Sequence, residues 1–194
     1  MDRDFILRSD AVGVRLRTVA ASDCGNLRNW KNAHRHAFFY QRLISPEEQM
    51  GWFRAYRERP DDHMFIVEAP SDVGCMGFRL LEEKIDVYNV IRGVAGSSRK
   101  GEMRDALRLM CAYALSRYGG REVGCKVLTD NPAVAWYERC GFVKRARRET
   151  YCEMVLQEDL SQILFRVEPY RPGGAKETGL NPGAPPAHNE GERP

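Results

Sequence analysis

"VYNVIRGVAGSSRKGEMRDAL", residues 87–107, decides how this chain is read. Its first part continues "KID" and reads as a strand. Ile85, Val87, Asn89 and Ile91 alternate with Asp86, Tyr88, Val90 and Arg92, so one set faces one side of a sheet and one the other. Small residues and two cations then interrupt the pattern at Ser97, Ser98, Arg99, Lys100 and Gly101. From Glu102 the period changes to that of a helix. Met103, Leu107, Met110, Cys111, Ala114 and Tyr118 mark one buried stripe, and Gly119-Gly120 ends it. "EVGCKVL" follows as a strand. A strand, a helix and a second strand in this order make a right-handed crossover between parallel neighbours.

The turn between strand and helix has the chemistry of an anion site. Free N–H groups at a helix N-terminus, together with the helix dipole, favour a phosphate there. Glycine allows close approach of the backbone. A plain surface turn with solvated charges is the alternative. The spacing fits neither the Walker pattern nor the dinucleotide fingerprint.

Working outward, residues 12–19, "VGVRLRTV", alternate as a half-buried strand. Ser22 and Asp23 offer caps for a helix carrying Leu27, Trp30 and Asn32. "ISPEEQMGWFRAYRE" is a second helix, with Ser45 as N-cap, Pro46 in the first turn and Glu48 completing a capping box. "HMFIVEAP" and "VGCMGFRLLEE" read as a hairpin. "NPAVAWYER" is a short helix capped by Asn131, with Pro132 in its first turn, and "FVKRARRETYCEMVL" is two strands with a turn near residues 147–150. Six of the ten prolines fall after residue 167, with few apolar residues, so 166–194 reads as a disordered tail on a folded domain of 1–165.

Composition excludes several classes. Among 194 residues, 43% are hydrophobic and 29% charged, as in an ordinary globular domain. A net charge of +3 does not argue for nucleic acid. No apolar run approaches the roughly 20 residues of a membrane helix, and the first ten residues lack a signal-peptide core, so a cytoplasmic protein without membrane contact is expected. Six cysteines stand apart with no CxxC pair, so reduced buried thiols are expected and no metal site.

Three regions together resemble the GNAT superfamily of acyl-CoA-dependent N-acyltransferases: the opening stretch, "TDNPAVAWYERCGF", and the helix pair "LRNWKN…ISPEEQMGWF". The resemblance spans about residues 12–156. It implies a single α/β domain with a mixed, largely antiparallel sheet, a central parallel pair that splays, and about four flanking helices. It also implies acetyl-CoA as co-substrate, without a metal.

The family's turn pattern, Arg/Gln-x-x-Gly-x-Gly/Ala, places its first glycine on Gly101, with Ser98 and Met103 departing from it and Arg99 one residue off. The resemblance therefore implies pyrophosphate contacts from Ser98, Arg99, Lys100, Gly101, Glu102, Met103 and Arg104. Pantetheine would pair with backbone at Ile91, Arg92, Gly93 and Val94. Asp130 holds the place of the family's usual asparagine, and Asn131 is adjacent.

Acetyl transfer to an amine needs a proton removed from nitrogen, a donor for the developing oxyanion, and a proton for the departing sulfur. Tyr137, in "YERCGF", matches the family's acid; a half-buried core tyrosine is the other reading. Asp86 is the carboxylate candidate for the base, with Tyr88 and His63 as alternatives. Trp30, Asn32, His34, Tyr40 and Tyr88 are the expected wall of the acceptor site. The helix-pair pattern is similar to acetyltransferases of nucleotide-linked amino sugars, so a small primary amine, an amino sugar foremost, is the expected acceptor. Acetylation of protein N-termini and a non-catalytic acyl-CoA-binding role remain open, as do monomer and homodimer.

Overall fold

The computed structural model describes residues 3–69, 71–94 and 101–172. Nine strands form one sheet in the order β7-β8-β6-β5-β4-β3-β2-β1-β9. They are β1 (Phe5–Arg8), β2 (Arg15–Thr18), β3 (Asp62–Glu68), β4 (Asp72–Leu80), β5 (Lys84–Arg92), β6 (Glu122–Leu128), β7 (Phe142–Arg147), β8 (Tyr151–Leu156) and β9 (Arg166–Pro169). The helices are α1 (Cys24–Ala33), α2 (Pro46–Arg57), α3 (Glu102–Tyr118) and α4 (Ala133–Arg139). Every neighbouring pair of strands runs antiparallel except β5–β6, the two strands joined through α3.

The sheet separates two apolar layers. On one face α1 and α2 pack through Leu27, Trp30 and Tyr56 against Met64, Ile66, Cys75 and Ile91. On the other, α3 and α4 pack through Leu107, Met110, Val134 and Tyr137 against Phe65, Phe78, Ile85 and Val123. The expected caps form on α2, where the Glu48 amide donates to Ser45 Oγ at 3.2 Å and the Ser45 amide to Glu48 Oε2 at 2.8 Å. Asn131 Oδ1 accepts from the Ala133 amide at 2.8 Å and so caps α4. Asp23 does not cap α1 with its side chain. It turns back instead, accepting from the Ala20 amide at 2.7 Å and pairing with Arg17.

Two strands escape the sequence pattern. β1 is four residues long, too short for alternation to register. β9 lies where the tail was expected to begin, and pairs with β1 from Phe5↔Pro169 to Arg8↔Arg166. Its own side chains are mostly exposed, so its place is set by the β1 ladder and by Tyr170, whose ring lies 5.2 Å from the Arg17 guanidinium. Residues 173–194 lie outside the described residues.

The strict alternation expected along β5 also fails. Cys75↔Ile91 is followed by Gly77↔Tyr88, two residues of β4 against three of β5. This is a β-bulge, and Asn89 sits in it at φ 49°. Asparagine is among the few non-glycine residues that tolerate this region. After the bulge the faces exchange. Ile85, Val87 and Val90 face the α3 side, while Tyr88 and Ile91 face the α1–α2 side.

Beyond the start of β5 the parallel pair comes apart. Register runs only from Lys84↔Glu122 to Asp86↔Gly124, although β5 continues to Arg92 and β6 to Leu128. The two strands therefore leave facing edges unpaired with one another, and the bulge bends β5 where they part.

Candidate active site

A cavity of about 570 Å³ occupies the splay. β5 supplies Asp86, Tyr88, Asn89, Ile91 and Arg92, β6 supplies Lys126 to Leu128, and α4 supplies Ala133 and Tyr137. The connection from α1 to α2 crosses its front, contributing His34, Phe38, Phe39 and Tyr40. That connection is held from both sides. The Asn131 side-chain amide donates to the Ala37 carbonyl at 2.9 Å, and the Phe39 ring meets Tyr151 edge-on at 6.0 Å. A second cavity of about 330 Å³, between α1, α2 and the sheet, shares Lys31, Tyr40, Asn89 and Ile91 with the first.

Tyr137 belongs to the apolar layer on the α3–α4 side and also lines the cavity. It is 6% exposed, packed edge-on against Trp136 at 5.0 Å and Phe142 at 5.2 Å. Burial, followed by the neighbouring thiols of Cys125, Cys111 and Cys140 and the Asp86 carboxylate, raises its pKa well above that of a free phenol. The hydroxyl is thus a proton donor at every physiological pH. Asp86 stands at the point where β5 and β6 part, and its carboxylate is 3.0 Å from Lys84 Nζ. Tyr88 donates its hydroxyl to Asp62 Oδ1 while the Arg79 guanidinium lies 4.1 Å from its ring. Burial, then Asp62, raises the Tyr88 phenol too. That hydroxyl is engaged as a donor, so Tyr88 shapes the cavity wall rather than serving as a base.

Of the residues expected at the site, Tyr137, Asp86, Tyr88, His34, Tyr40, Ile91, Arg92 and Asn131 meet around this cavity. Others do not. Trp30 is 8% exposed beneath the end of β5, where a Cβ on Gly93 would fall 2.1 Å from its ring. The tryptophan needs that glycine for packing and does not face the cavity. Asn32 is used within the α1–α2 connection, donating to the Ile44 carbonyl at 3.0 Å and accepting from the Ile44 amide at 2.9 Å. The amides of Gly93 and Val94 both donate to the Val73 carbonyl, at 2.9 and 3.2 Å, and so point back toward β4. Asp130 is exposed on the turn before α4, away from the cavity lining.

At the start of α3, Gly101 takes φ 95°, which only glycine adopts freely, and turns the chain into the helix. Glu102 and Met103 are buried, with Glu102 3.1 Å from Arg92. Both side chains are buried, which leaves the exposed Arg104 as the cationic side chain at the surface of this first turn. Ser98, Arg99 and Lys100 lie outside the described residues. The unpaired strand edges, the αL glycine and the open first turn of α3 fit an extended thiol cofactor carrying a pyrophosphate.

His63 is not part of the site. Its ring stacks on Phe78 at 4.7 Å on the α3 side, with Nε2 3.1 Å from the Tyr118 hydroxyl. Burial, with Arg3 adding to it, lowers its pKa to about 4. The folded protein then holds fewer protons than the unfolded chain between pH 6.5 and 4, so this group weakens the fold as pH falls through that window. Over that window the loss reaches about 3 kcal/mol. Urea unfolding at pH 7 and pH 4 should show His63→Gln losing less stability than wild type; equal losses would refute the assignment.

Among the lining residues not expected at the site are the polar side chains of Lys31, Arg79, Asn89 and Lys126. Lys31 Nζ is 2.6 Å from Asn89 Oδ1 and 3.2 Å from the centre of the Phe38 ring. Burial, with Arg79 contributing, lowers its pKa to about 8. The one visible hint was asparagine in the middle of an apolar strand, a residue suited to a bulge.

The splay between β5 and β6, the parallel pair among the described strands, and the buried phenol lining it accord with the GNAT resemblance. The chain belongs to that family. Residues 14–143 match the model for the acetyltransferase (GNAT) domain, so the protein is an acyl-CoA-dependent N-acetyltransferase. No curated protein sequence matches it. Among solved structures it is similar to apo FdhC, a nucleotide-linked sugar GNAT, with a TM-score of 0.63, 16% identity, and coverage of 74% of this chain and 85% of that one. It is also similar to spermidine N-acetyltransferase from Vibrio cholerae in complex with CoA and spermine, with a TM-score of 0.63, 20% identity, and coverage of 74% and 95%. A third is a probable GNAT-family acetyltransferase from Chromobacterium violaceum, with a TM-score of 0.57, 17% identity, and coverage of 73% and 81%. At these identities the likeness is one of fold. Among the described residues no helix is long and apolar enough to cross a membrane, and no group of three or more His, Cys, Asp or Glu is placed to hold a metal.

Proposed function

We propose that this enzyme transfers the acetyl group of acetyl-CoA directly to the primary amine of a small molecule, an amino sugar foremost. The observation that carries the reading is the α1–α2 connection lying across the splay, fastened by Asn131 to Ala37. It turns the front of the cleft into a cavity bordered by aromatic rings and His34, sized for a compact acceptor. A peptide substrate would favour an open groove along the sheet, which this connection interrupts. The FdhC likeness supports a sugar, and the spermidine-enzyme likeness keeps polyamines in the test.

In this reading the amine nitrogen forms its bond to the acetyl carbon while the carbon–sulfur bond breaks. Asp86, at the parting of the strands, takes the proton lost from nitrogen. The raised Tyr137 phenol is a weaker acid than a thiol. Complete transfer of its proton in advance of bond cleavage is uphill, so it acts by hydrogen-bonding the sulfur as that bond breaks. The sulfur leaves as a thiolate held by that hydrogen bond and takes its proton from solvent, while Tyr137 keeps its own. No enzyme nucleophile is required, and the cysteines are packing residues, all six buried.

Thiol release from acetyl-CoA, followed across amino sugars, nucleotide-linked amino sugars, polyamines and peptides, tests this. Release with an amino sugar at a kcat/KM at least about tenfold above peptides is expected. A peptide preferred over every small amine contradicts it.

A further inference from the structure

The second cavity, about 330 Å³ between α1, α2 and the sheet, has no part in the transfer chemistry described above. Its walls are mostly apolar: Leu27 from α1, Ile44 from the connection, Trp52 from α2, and Met64, Cys75 and Ile91 from the strands. Trp52 is fixed there by stacking on Tyr56 at 5.2 Å. Two charged groups line the cavity, and both are engaged. Lys31 Nζ lies 2.6 Å from Asn89 Oδ1, and Glu48 Oε2 accepts from the Ser45 amide at 2.8 Å. They are opposite in sign, so the lining carries no net charge.

Gln49 stands out against these walls. It lines the cavity, it is 6% exposed, and its side-chain amide bonds to no described residue. A buried amide without a partner costs stability that an apolar side chain of the same shape would not. The capping box that starts α2 is made by Ser45 and Glu48, so the Gln49 side chain has no part in it. A primary amide presents an acceptor and a donor side by side. A neutral hydroxyl or carboxamide satisfies both, whereas a full charge would be desolvated against a neutral partner.

The occupant is the acceptor and not the cofactor. Among the described residues none from β6, α3 or α4 lines this cavity, whereas β6 and α4 border the splay. Lys31, Tyr40, Asn89 and Ile91 line both cavities, so a molecule whose amine lies at the splay has the second cavity beside it. We infer that this cavity holds the end of the acceptor remote from its amine, that this end is uncharged and largely apolar with one hydrogen-bonding group, and that Gln49 binds that group. The inference rests on the acetyltransferase reading above and narrows its substrate class, from a free amino sugar to an amino sugar carrying an apolar aglycone. The hydroxyls of a free sugar would lose their water against these walls and gain little in return.

Calorimetric titrations with and without saturating CoA compare glucosamine, its phenyl glycoside, its 4-carbamoylphenyl glycoside and spermidine. Wild type should bind the phenyl glycoside about tenfold more tightly than glucosamine. The carbamoyl group should add a further gain of about threefold to tenfold, the scale of one hydrogen bond. Gln49→Leu should keep the first gain and lose the second, with CoA affinity unchanged. Its melting temperature without ligand should equal or exceed that of wild type, whereas loss of a merely structural glutamine would lower it. Ile44→Trp, which fills the cavity from the connection, should abolish the preference for both glycosides over glucosamine. Equal affinity for glucosamine and both glycosides, tighter binding of spermidine than of either glycoside, a carbamoyl gain that survives Gln49→Leu, a Gln49→Leu protein less stable than wild type, or a preference that survives Ile44→Trp overturns the proposal. Failure of CoA itself to bind would instead count against the acetyltransferase reading, because the titrations without CoA report on the cavity alone.

Discussion

Tyr137→Phe should lower kcat by about 100- to 1000-fold while leaving acetyl-CoA affinity within about twofold, the magnitude expected for loss of a positioned proton donor. The substitution removes one oxygen and keeps the ring that packs edge-on against Trp136 and Phe142. Stability should therefore change little, which separates chemistry from folding. The pH profile provides a second readout. The phenol is held well above its ordinary value by burial and by the adjacent thiols and Asp86. Wild-type activity should show no alkaline fall near pH 10 assignable to this group. Stopped-flow thiol release and calorimetry on the two proteins give both numbers. A variant with wild-type kcat would remove Tyr137 from the reaction and leave it as the core tyrosine that its burial alone would also explain.

Arg17→Met should destabilise the fold by about 3–5 kcal/mol, the cost of removing one member of a buried ionic network. Arg17 reaches Asp23 through two nitrogens, at 2.8 and 3.1 Å, and Glu68 at 3.0 Å. Both carboxylates are buried. Glu68 would retain Arg15 at 2.5 Å, but Asp23 would keep only the Ala20 amide. The guanidinium also lies under the Tyr170 ring, so its loss loosens the strand that completes the sheet beside β1. A melting temperature lower by about 10 °C follows for a domain of this size. Arg17→Lys should rescue little, since one ammonium cannot reproduce a planar fork across two acids. Urea unfolding measures both; a loss under about 1 kcal/mol in Arg17→Met would mean that the network contributes nothing net.

The features that local chemistry controls were legible in the sequence. Ser45 and Glu48 announce α2 because both halves of the capping box lie within four residues. The α3 stripe, its glycine ends and the parallel strand after it were legible through period and turn residues, and Tyr137 through its place in "YERCGF". Features that depend on partners far along the chain were not. Trp30 carries every mark of a binding aromatic, yet its place is set by a glycine 63 residues away. The β5 alternation misassigned Asn89 and Ile91 because a bulge depends on the register with β4, which no single strand encodes. Lys31 and Arg79 look like solvated charges in isolation and become neighbours only when α1 packs over the sheet. Residues 166–169 look like tail because an edge strand held by one ladder needs little apolar content.

The central claim, that the splay between β5 and β6 is an acetyl-transfer site, is tested most directly by mixing the purified protein with acetyl-CoA and an amino-sugar acceptor and measuring free thiol. Thiol formed only when both are present, in step with N-acetylated product, and nearly lost in Tyr137→Phe, is the expected result. No thiol with any amine, or thiol formed at the same rate by wild type and Tyr137→Phe, would contradict it.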